Sequence, residues 1–469
     1  MTTTRSTPPI DRKLIDKYSG RGPRYTSYPT APEWTEAVDQ DIYRKHIALN
    51  NQVNTDTPLS LYIHVPFCEE RCSFCACNVI ITPHKSVSDH YVDLLNREID
   101  MVSQDITPGR KAIQFHLGGG TPTHLTPASF DRMLSHVDER FEFTADAERS
   151  IEVDSRVTTE EHLDILRRHG FNRISMGVQD ASPQTQEAIN RVQSVEHTQA
   201  FIDLCRSKGF QSVNIDLVYG LPYQTRVTFA RTVDAVFDLN PDRIALYNYA
   251  FLPQKLAHQR RIDENSLPDA EERFAIFKTA VEQFTEMGYA FIGMDHFAKP
   301  DDELTLAQQA GTLQRNFMGF TTRAGADLYA FGTSSISSLP TIYAQNTKRL
   351  RSYESAIQND QLPIERGIEL TRDDQIRRWV IMELMCNLQV FADHFEQTWG
   401  EDFHQYFQEE IPRLSPFIQD GLIEPNLAQG VKVTDLGQII IRPICMIFDH
   451  YLAKAAKEGK PSHTFSKTL

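Results

Sequence analysis

The feature that most restricts what this chain can fold into is a group of four cysteines within ten residues: Cys68, Cys72, Cys75 and Cys77. An apolar, β-prone run at 61–65 precedes them and predicts a buried strand that ends before Pro66 and continues into a loop. Disulfides between cysteines so close together in one loop would be strained. We therefore expect a metal-binding loop.

Two kinds of metal site are compatible with this loop. A structural zinc site draws two separated Cys or His pairs from two sides of a tetrahedron. The spacing C-x3-C-x2-C suits three corners of a [4Fe–4S] cube better, because three thiolates then hold three irons and leave the fourth iron open. The spacing favours the cluster, and a zinc-stabilised scaffold with a winged-helix interaction module stays open as an alternative.

Composition and charge restrict the partners. The chain has 469 residues, of which 40% are hydrophobic and 24% charged, as in ordinary globular proteins. Its opening residues lack the apolar core of a signal peptide and no run approaches a membrane span, so we expect a cytoplasmic protein that binds no membrane. The net charge of −15 argues against nucleic-acid binding. No heptad pattern requires a partner helix, so a monomer is expected.

A repeated pattern of short strands and amphipathic helices extends from residue 59 to about 295. Strands that alternate with helices predict a parallel sheet, and six or seven such units suggest an α/β chain folded as a partial or full (β/α) barrel. The predicted strands lie at 59–65, 112–117, 150–153, 173–178, 213–218, 244–249 and 290–294.

The remaining segments predict additional parts around the barrel. Residues 1–58 are predicted to form an N-terminal arm, 59–350 the catalytic barrel, and 351–469 a mainly helical, winged-helix-like domain. In the last of these, 371–390 reads as a capped amphipathic helix. The acidic balance makes a lid or scaffold a better use of this domain than DNA binding.

Polar residues recur where the predicted strands end, which in a barrel is the active-site face. Any one of these residues could simply be a polar side chain in a solvent-exposed loop. Together, Glu152, Gln179 and Asp216 offer acceptors for ribose hydroxyls and an amino group, and Arg191 offers a cation for a carboxylate. The GGGTP motif (118–122) allows backbone to approach a ligand and to donate N–H groups. Asp295 and His296 are either an acid/base or substrate pair, or an ordinary loop feature.

The cysteine motif, with Phe74 directly before its third cysteine, resembles the signature of the radical S-adenosylmethionine superfamily. The resemblance implies a [4Fe–4S] cluster whose open iron is chelated by the amino and carboxylate groups of S-adenosylmethionine. It also implies that one-electron reduction of the cluster cleaves the sulfonium and yields a 5′-deoxyadenosyl radical, while the protein positions the cofactor and excludes water.

A second resemblance covers nearly the whole chain. It is carried by YIHVPFCEERCSFCACN, HLGGGTPTHL, IEVD, FNRISMGVQD, NIDLVYGLPYQT, NYAFLP, GMDHFA, RNFMGFTT and YAQN, preceded by GPRYTSYPTA. These segments resemble the oxygen-independent coproporphyrinogen III oxidases, also called coproporphyrinogen dehydrogenases. The resemblance implies oxidative decarboxylation of two propionates of coproporphyrinogen III to vinyl groups, giving protoporphyrinogen IX. The alternative is a haem-binding chaperone or carrier of the same superfamily, whose members typically lack the Cys77-Asn78 ending and the arm.

The resemblance also implies roles for particular residues. Cys68, Cys72 and Cys75 would hold the cluster, with Cys77 nearby and not a ligand. Two S-adenosylmethionine molecules are implied. The first would contact Tyr62, Gly119, Glu152 and Ile336, and the second Phe74, Gly120, Thr121, Gln179, Arg191, Asp216 and Ala250. Adenine would pack on Tyr62, Phe74 and Ile336, although core packing explains such residues equally well. A flavodoxin- or ferredoxin-like protein would supply the electron. Arg21 and Arg24 in the arm are our hypothesis for propionate partners.

Overall fold

The computed structural model describes residues 12–459 and residue 465. Two compact units make up this part of the chain. The sheet unit contains Thr35–Gln283 and Gly325–Glu369. The helical unit contains the described residues through Trp34, Phe284–Ala324, and the described residues from Leu370 onward. Each unit is therefore assembled from segments that are distant in sequence.

Polar side chains cap many of the helices. Asp39 accepts hydrogen bonds from the backbone N–H groups of Asp41 and Ile42, and Thr371 and Asp374 bind each other's backbone N–H reciprocally. The described helices are α1 (Arg12–Tyr18), α2 (Gln40–Val53), α3 (Lys85–Asp105), α4 (Pro127–Arg140), α5 (Glu160–Arg168), α6 (Pro183–Ala188), α7 (Val195–Ser207), α8 (Arg226–Leu239), α9 (Ala270–Glu286), α10 (Glu303–Ala310), α11 (Leu350–Gln358), α12 (Arg372–Asn387), α13 (Ala392–Trp399), α14 (Phe403–Tyr406), α15 (Ser415–Gln419), α16 (Asp435–Ile439), α17 (Ile441–Cys445) and α18 (His450–Lys457).

Apolar runs rich in β-branched and aromatic residues form most strands of the large sheet, as the sequence pattern predicts. The described strands are β1 (Leu59–Val65), β2 (Phe67–Cys68), β3 (Ile80–Ile81), β4 (Ala112–Gly119), β5 (Phe143–Val153), β6 (Arg173–Gln179), β7 (Ser212–Tyr219), β8 (Arg243–Asn248), β9 (Ala290–Gly293), β10 (His296–Ala298), β11 (Gln314–Asn316), β12 (Gly319–Thr321), β13 (Asp327–Phe331), β14 (Ile336–Leu339), β15 (Ile342–Asn346), β16 (Ile364–Glu369), β17 (Gln389–Phe391) and β18 (Gly430–Lys432).

The sheet unit is built on one large mixed sheet. Its strands are ordered β16-β15-β14-β13-β1-β4-β5-β6-β7-β8. All neighbours from β13 to β8 are parallel, and β14 to β16 add antiparallel strands beyond β13. In the described residues β16 and β8 are not paired with each other, so the sheet is an open, partial barrel. The predicted α/β class with a parallel sheet is confirmed.

Strand β1 lies inside this sheet, between β4 and β13. Leu61, Ile63 and Val65 are all buried, which explains the continuous apolar character of the run. Because the neighbours are parallel, the carboxyl ends of β1, β4 and β13 lie at the same edge of the sheet, where the cysteine loop begins.

The seventh predicted strand differs from the other six. Residues 290–293 do form a strand, β9, but it pairs antiparallel with β10 and lies in the helical unit. The two strands are close in sequence, and Gly293 and Met294 adopt positive φ angles of +138° and +53° between them. A tight hairpin therefore replaces the seventh strand–helix repeat that the sequence suggested.

The helical unit contains the predicted capped helix as α12, which packs against α17, and the short pair β17 and β18 as its wing. The arm is ordered where it is described. Tyr25 Oη donates to Asp449 Oδ2 at 2.9 Å, and the Arg442 guanidinium donates to the carbonyl oxygens of Gly22 and Pro23. The predicted division at residues 58 and 350 stays a prediction, and its residues 1–11, 460–464 and 466–469 lie outside the described part.

Within residues 12–459 and residue 465, we find no helix that combines the length and the apolar character needed to cross a bilayer.

Candidate functional site

The base of the cysteine loop is closed by backbone pairing. Strand β2, which contains Cys68, runs parallel to β3, with Phe67 opposite Ile80. The Thr82 N–H donates to the Cys68 carbonyl at 3.0 Å, and the Ile80 N–H donates to the Pro66 carbonyl at 2.7 Å. Residues 69–79 therefore leave the sheet and return to it at one place.

The outer part of the loop is tied to the segment that follows α6. The Ser73 N–H donates to the Ile189 carbonyl at 2.8 Å, and Asn190 Nδ2 donates to the Arg71 carbonyl at 3.1 Å. These bonds hold the loop before its third cysteine.

A second tie comes from the segment that follows β8. His258 Nε2 lies 2.7 Å from the Cys75 carbonyl, so this nitrogen carries the proton and donates. Gln259 Nε2 donates to the carbonyl oxygens of Phe74 and Ala250, both at 3.1 Å. The cysteine loop is thus anchored by backbone carbonyls, which leaves its thiols available for another partner.

The thiols themselves differ in acidity. Burial raises the pKa of Cys68 to about 11, against a hydrogen bond with Thr121 Oγ1 at 3.5 Å. The pKa of Cys75 is lowered, because hydrogen bonds from the Cys77 thiol and backbone N–H outweigh burial. These bonds favour the thiolate form of Cys75, which is the form that binds metal.

These cysteines fit an iron–sulfur cluster. Cys68, Cys72 and Cys75 are free, partly buried thiols on one anchored loop. Across residues 12–459, no three His, Cys, Asp or Glu side chains converge as they would around one metal ion. A cubane does not need such convergence, because each of its cysteines binds a different iron.

Arg191 connects the loop to the strand ends. Its Nη1 lies 3.8 Å from Cys72 Sγ and 3.0 Å from Asp154 Oδ2, and its Nη2 donates to the Gly177 carbonyl at 2.7 Å. Burial favours the neutral acid of Asp154, but the ion pairs with Arg156 and Arg191 outweigh it and hold the pKa of Asp154 at about 2. A fixed cation therefore stands beside the thiols.

An aromatic and acidic group occupies the carboxyl ends of β1, β4 and β5. Tyr62 stacks on His116 with ring centroids 5.9 Å apart, and its hydroxyl lies 3.1 Å from His64 Nδ1. His64 Nε2 lies 3.0 Å from the Asn78 carbonyl, so Nε2 donates there and Nδ1 accepts from Tyr62. Glu152 Oε1 lies 3.7 Å from His116 Nε2, and the Glu152 side chain is 48% exposed and open to a ligand.

The glycine motif serves close packing within the protein. A Cβ on Gly120 would lie 2.7 Å from the Phe67 carbonyl oxygen. The Gly119 N–H donates to Glu152 Oε2 at 3.2 Å, and the Gly120 N–H donates to the Val65 carbonyl at 2.9 Å. The Gly119 N–H thus joins the end of β4 to β5, and the Gly120 N–H joins it to the end of β1. The predicted contact of this motif with a ligand stays a prediction.

The other predicted contacts lie within the strands or in the loops beside them. Gln179 ends β6 with a φ of +70°, Asp216 accepts from Asn214 Nδ2 within β7, and Ala250 is exposed after β8. Ile336 begins β14. Phe74 packs on a buried apolar cluster formed by Ile189, Val218, Leu221, Tyr249 and Ile262.

The structure brings several predicted residues together. Glu152 contacts Gly119, Thr121 contacts Cys68, and Arg191 contacts Cys72. Arg21 and Arg24 belong to the other unit, where Arg21 is exposed.

Arg24 is already paired in the helical unit. It forms an ion pair with Asp295, whose other carboxylate oxygen lies 2.7 Å from His296 Nδ1. Arg24 and His296 together hold the pKa of Asp295 well below its usual range despite burial. Asp295 and His296 therefore form one network with the arm.

His258 and Gln259 hold the cysteine loop in place, and the sequence analysis did not predict this. Both act on backbone carbonyls of the cysteine loop, and this role depends only on where the segment after β8 passes. The one available signal was the concentration of polar side chains directly after the NYAFLP segment.

Comparison with known families gives two matches. Residues 62–236 match the Radical SAM superfamily, and residues 370–440 match the HemN C-terminal domain. The radical S-adenosylmethionine family uses a [4Fe–4S] cluster and S-adenosylmethionine, in agreement with the cysteine loop described above.

Relatives match over nearly the full length. Oxygen-independent coproporphyrinogen III oxidase of Escherichia coli (strain K12) is 45% identical over 447 residues, which cover 95% of this chain and 96% of the relative. The enzyme of that name from Synechocystis sp. is 42% identical and covers 98% of each chain. The solved structure of coproporphyrinogen III oxidase from Escherichia coli, described as a radical SAM enzyme, is 44% identical, with a TM-score of 0.90 over 94% of this chain and 99% of that one. This chain belongs to the oxygen-independent coproporphyrinogen III oxidase family of radical S-adenosylmethionine enzymes.

Proposed function

We propose that this chain converts coproporphyrinogen III to protoporphyrinogen IX by oxidative decarboxylation of two propionates to vinyl groups. Each propionate loses a hydrogen atom, carbon dioxide and one electron, so a separate electron acceptor is required. The observation that carries the proposal is the 45% identity over 95% of the chain. When bound, the cluster and S-adenosylmethionine supply the 5′-deoxyadenosyl radical that removes the hydrogen atom.

The alternative of a haem-binding carrier is less well supported. The relatives named as oxidases match 95% and 98% of the chain. The chain also has the arm and the Cys77-Asn78 ending that such carriers typically lack. A carrier would keep the cluster and show no decarboxylation.

The chain's own residues prepare the site in three ways. Cys68, Cys72 and Cys75 would hold the cluster, and Arg191 supplies a cation beside their thiolates. Phe74 packs on an apolar core and keeps water from one side of the loop. The hydrogen bonds of His258 and Gln259 fix the loop before any cofactor arrives.

We expect two S-adenosylmethionine molecules. Glu152 lies with the set proposed for the first molecule and Asp216 with the set for the second, on different strands of the sheet. Equilibrium dialysis of the holoprotein should give two bound molecules per chain. Glu152→Gln should weaken one class of site and Asp216→Asn the other, and a stoichiometry of one in the wild type would contradict this assignment.

The substrate's carboxylates require cations, for which we propose Arg21 and Arg24. Arg24→Ala should raise the KM for coproporphyrinogen III and leave iron content and S-adenosylmethionine binding unchanged. Arg12→Ala, which removes an exposed pair within one helix, is the control. An unchanged KM for Arg24→Ala would exclude Arg24 as a propionate partner.

We propose that an acidic flavodoxin- or ferredoxin-like donor docks at the segment 252–261. Lys255, Arg260 and Arg261 are exposed there, and none forms an ion pair with a described residue. His258, in the same segment, is hydrogen-bonded to the Cys75 carbonyl, so the patch adjoins the cluster loop. This cationic patch stands out in a chain of net charge −15.

Charge reversal tests the docking site. Arg260→Glu combined with Arg261→Glu should slow reduction by an acidic flavodoxin about tenfold, as expected for steered association. Reduction by dithionite should not change. Lys432→Glu, on the wing, is the matched control. Equal rates with flavodoxin would place the donor elsewhere.

Free thiols at all seven cysteines fit a reducing cytoplasm, and we propose that the chain works there as a monomer. Light scattering of the holoprotein measures the oligomeric state directly.

The central experiment incubates the reduced, reconstituted protein anaerobically with S-adenosylmethionine and coproporphyrinogen III. Protoporphyrinogen IX and 5′-deoxyadenosine should form together, and Cys72→Ser should abolish both. Cys77→Ser, at the proposed non-ligand, should retain its iron. Deoxyadenosine without protoporphyrinogen would point to another substrate, and neither product, despite an intact cluster, would favour the carrier.

A further inference from the structure

Glu98 is a buried carboxylate that plays no part in the chemistry above. It lies in α3 and is 2% exposed. It accepts hydrogen bonds from the Gly332 N–H at 2.8 Å, Asn346 Nδ2 at 2.6 Å and Tyr353 Oη at 2.6 Å. No Lys, Arg or His between residues 12 and 459 forms an ion pair with it.

Tyr91 lies two turns earlier on the same face of α3 and binds the adjoining backbone. Its hydroxyl accepts from the Thr333 N–H at 2.9 Å and donates to the His64 carbonyl at 2.8 Å. Gly332 has a φ of +92°, and a Cβ there would lie 2.4 Å from Tyr91 Oη. Two consecutive backbone amides, those of residues 332 and 333, therefore bind one face of one helix.

The segment held in this way adjoins the candidate site. Residues 332–335 connect β13 to β14 and lead directly to Ile336. Strand β13 is the parallel neighbour of β1, whose His64 precedes the cysteine loop. Asn346 Nδ2, besides binding Glu98, donates to the Gly332 carbonyl at 2.9 Å and to Ser335 Oγ at 3.1 Å. Glu98 and Asn346 thus fix the turn from two sides.

The chemistry of the donors requires an acceptor at this position. The Gly332 N–H and the Asn346 amide nitrogen can only donate, so a carboxylate satisfies both, whereas an amide in its place would turn N–H groups toward donors. A buried carboxylate without a cation is costly for folding, and packing alone would favour an apolar side chain. This cost in folding free energy suggests that the Glu98 carboxylate has a role in function.

We propose that Glu98 is a positioning residue for the cofactor site: by binding Gly332 and Asn346 it sets the 332–335 turn and so places Ile336 against S-adenosylmethionine. The inference rests on the proposed function, because it requires that S-adenosylmethionine binds at Ile336. Glu98 itself does not touch the cofactor.

The test uses anaerobically reconstituted holoprotein and equilibrium dialysis with S-adenosylmethionine. Glu98→Gln keeps the size of the side chain and should weaken binding about tenfold, as expected when a buried donor loses its acceptor. Its iron content should stay within error of the wild type, and its urea unfolding curve should show that the protein is fully folded under the conditions of the dialysis. Asp93→Asn, at an exposed ion-paired carboxylate of the same helix, should change none of these.

Tyr353→Phe gives an independent measurement, because the Tyr353 hydroxyl and the Gly332 N–H bind the same oxygen, Glu98 Oε2, and without the hydroxyl the carboxylate is held less firmly against the turn. It should weaken binding by a smaller factor, about twofold to threefold. If Glu98→Gln does not fold, this variant decides the question, and unchanged affinity would then overturn the proposal.

The outcomes separate the two hypotheses. A wild-type protein that binds no S-adenosylmethionine contradicts the proposed function. A wild type that binds it and a Glu98→Gln protein that binds equally well overturn the role of Glu98 alone. A fall in affinity that is matched by an equal fall in iron content would assign Glu98 a purely structural role and would also overturn the proposal.

Discussion

Gln259 shows how much one side chain contributes to the cysteine loop. It is fully buried, its Nε2 donates to the carbonyl oxygens of Phe74 and Ala250, and its Oε1 accepts from the Leu252 N–H at 2.6 Å. One amide therefore satisfies three backbone groups that belong to two different loops. Because Gln259 binds both loops, a movement of the segment after β8 would also disturb the cysteine loop.

Replacing this amide should loosen the cluster. Gln259→Leu leaves these three backbone groups without their partner, at a cost of about 1–3 kcal/mol for each buried group. We expect iron to be removed by a chelator at least about tenfold faster than from the wild type. The measurement is the rate of cluster bleaching in EDTA. Gln254→Leu, at an exposed position of the same segment, is the control, and equal bleaching rates for Gln259→Leu would contradict the anchoring role.

Gly120 is a residue whose missing side chain matters. A Cβ there would lie 2.7 Å from the Phe67 carbonyl oxygen and 2.9 Å from backbone atoms of Pro66, and backbone atoms cannot rotate away. Gly120→Ala should separate β4 from the cysteine strand and reduce the iron bound after reconstitution. Gly20→Ala, where a Cβ meets nothing within 4 Å, should bind iron normally. Full iron content in Gly120→Ala would show that this contact relaxes without affecting the loop.

At the scale of elements, α3 organises the edge of the sheet where β1 and β13 end. This helix buries Glu98, and the burial makes the stability of the fold depend on pH near neutrality. Burial raises the pKa of Glu98 to about 7, against the hydrogen bonds from Tyr353, Gly332 and Asn346. The other ionisable groups that face it are the phenols of Tyr43, Tyr91 and Tyr353, and burial raises the pKa of each. Glu98 is therefore the group of this cluster that titrates near neutrality.

The sign of the pH effect follows from the raised pKa. The folded protein binds the Glu98 proton below about pH 7, while an unfolded chain binds it only below about pH 4.5, so the stability contributed by this proton falls as pH rises between these values. We therefore compare the free energies of unfolding of wild type and Glu98→Gln. The value for the wild type, relative to that of Glu98→Gln, should fall by about 1 kcal/mol from about pH 6 to about pH 8. Urea unfolding at the two pH values measures it. A difference independent of pH would mean that Glu98 titrates as it does in water.

The elements also show what sequence patterns can predict. The six strand–helix repeats from β1 to β8 follow from local periodicity, and the cysteine spacing identifies the loop. Strand β13 beside β1 does not follow, because parallel pairing between distant segments leaves no local signal. The hairpin of β9 and β10 was also missed, because a strand-like run indicates that a strand forms and does not indicate which strand it pairs with. Glu98 reads as an ordinary polar position in a helix until the turn at 332–335 is seen.

At the scale of the whole molecule, the helical unit is built from segments at both ends of the chain. Arg442 is buried and donates to backbone carbonyls of Gly22 and Pro23, and Gln438 Nε2 donates to the carbonyls of Phe291 and Ile292. The segment that matches the HemN C-terminal domain, 370–440, therefore lacks part of its own unit.

This arrangement predicts the behaviour of a fragment. A chain that begins at Leu370 exposes apolar surface and leaves Arg442 and Gln438 without these acceptors, so we expect no cooperative unfolding transition. Far-UV circular dichroism during urea titration measures this, with the full chain as control. A sigmoidal transition in the fragment would show that the segment folds without the arm and without 284–324.

The position of β13 has a consequence for biosynthesis. Strand β1 ends at Val65, while the strand that covers its other edge begins at Asp327. At a translation rate of about 5–20 residues per second, that edge waits for on the order of 10–50 s beside a growing chain. During this time unpaired backbone groups of an apolar strand are open to other nascent chains. The ribosome-bound intermediate is therefore the state in which a chaperone would contribute most to this protein's yield.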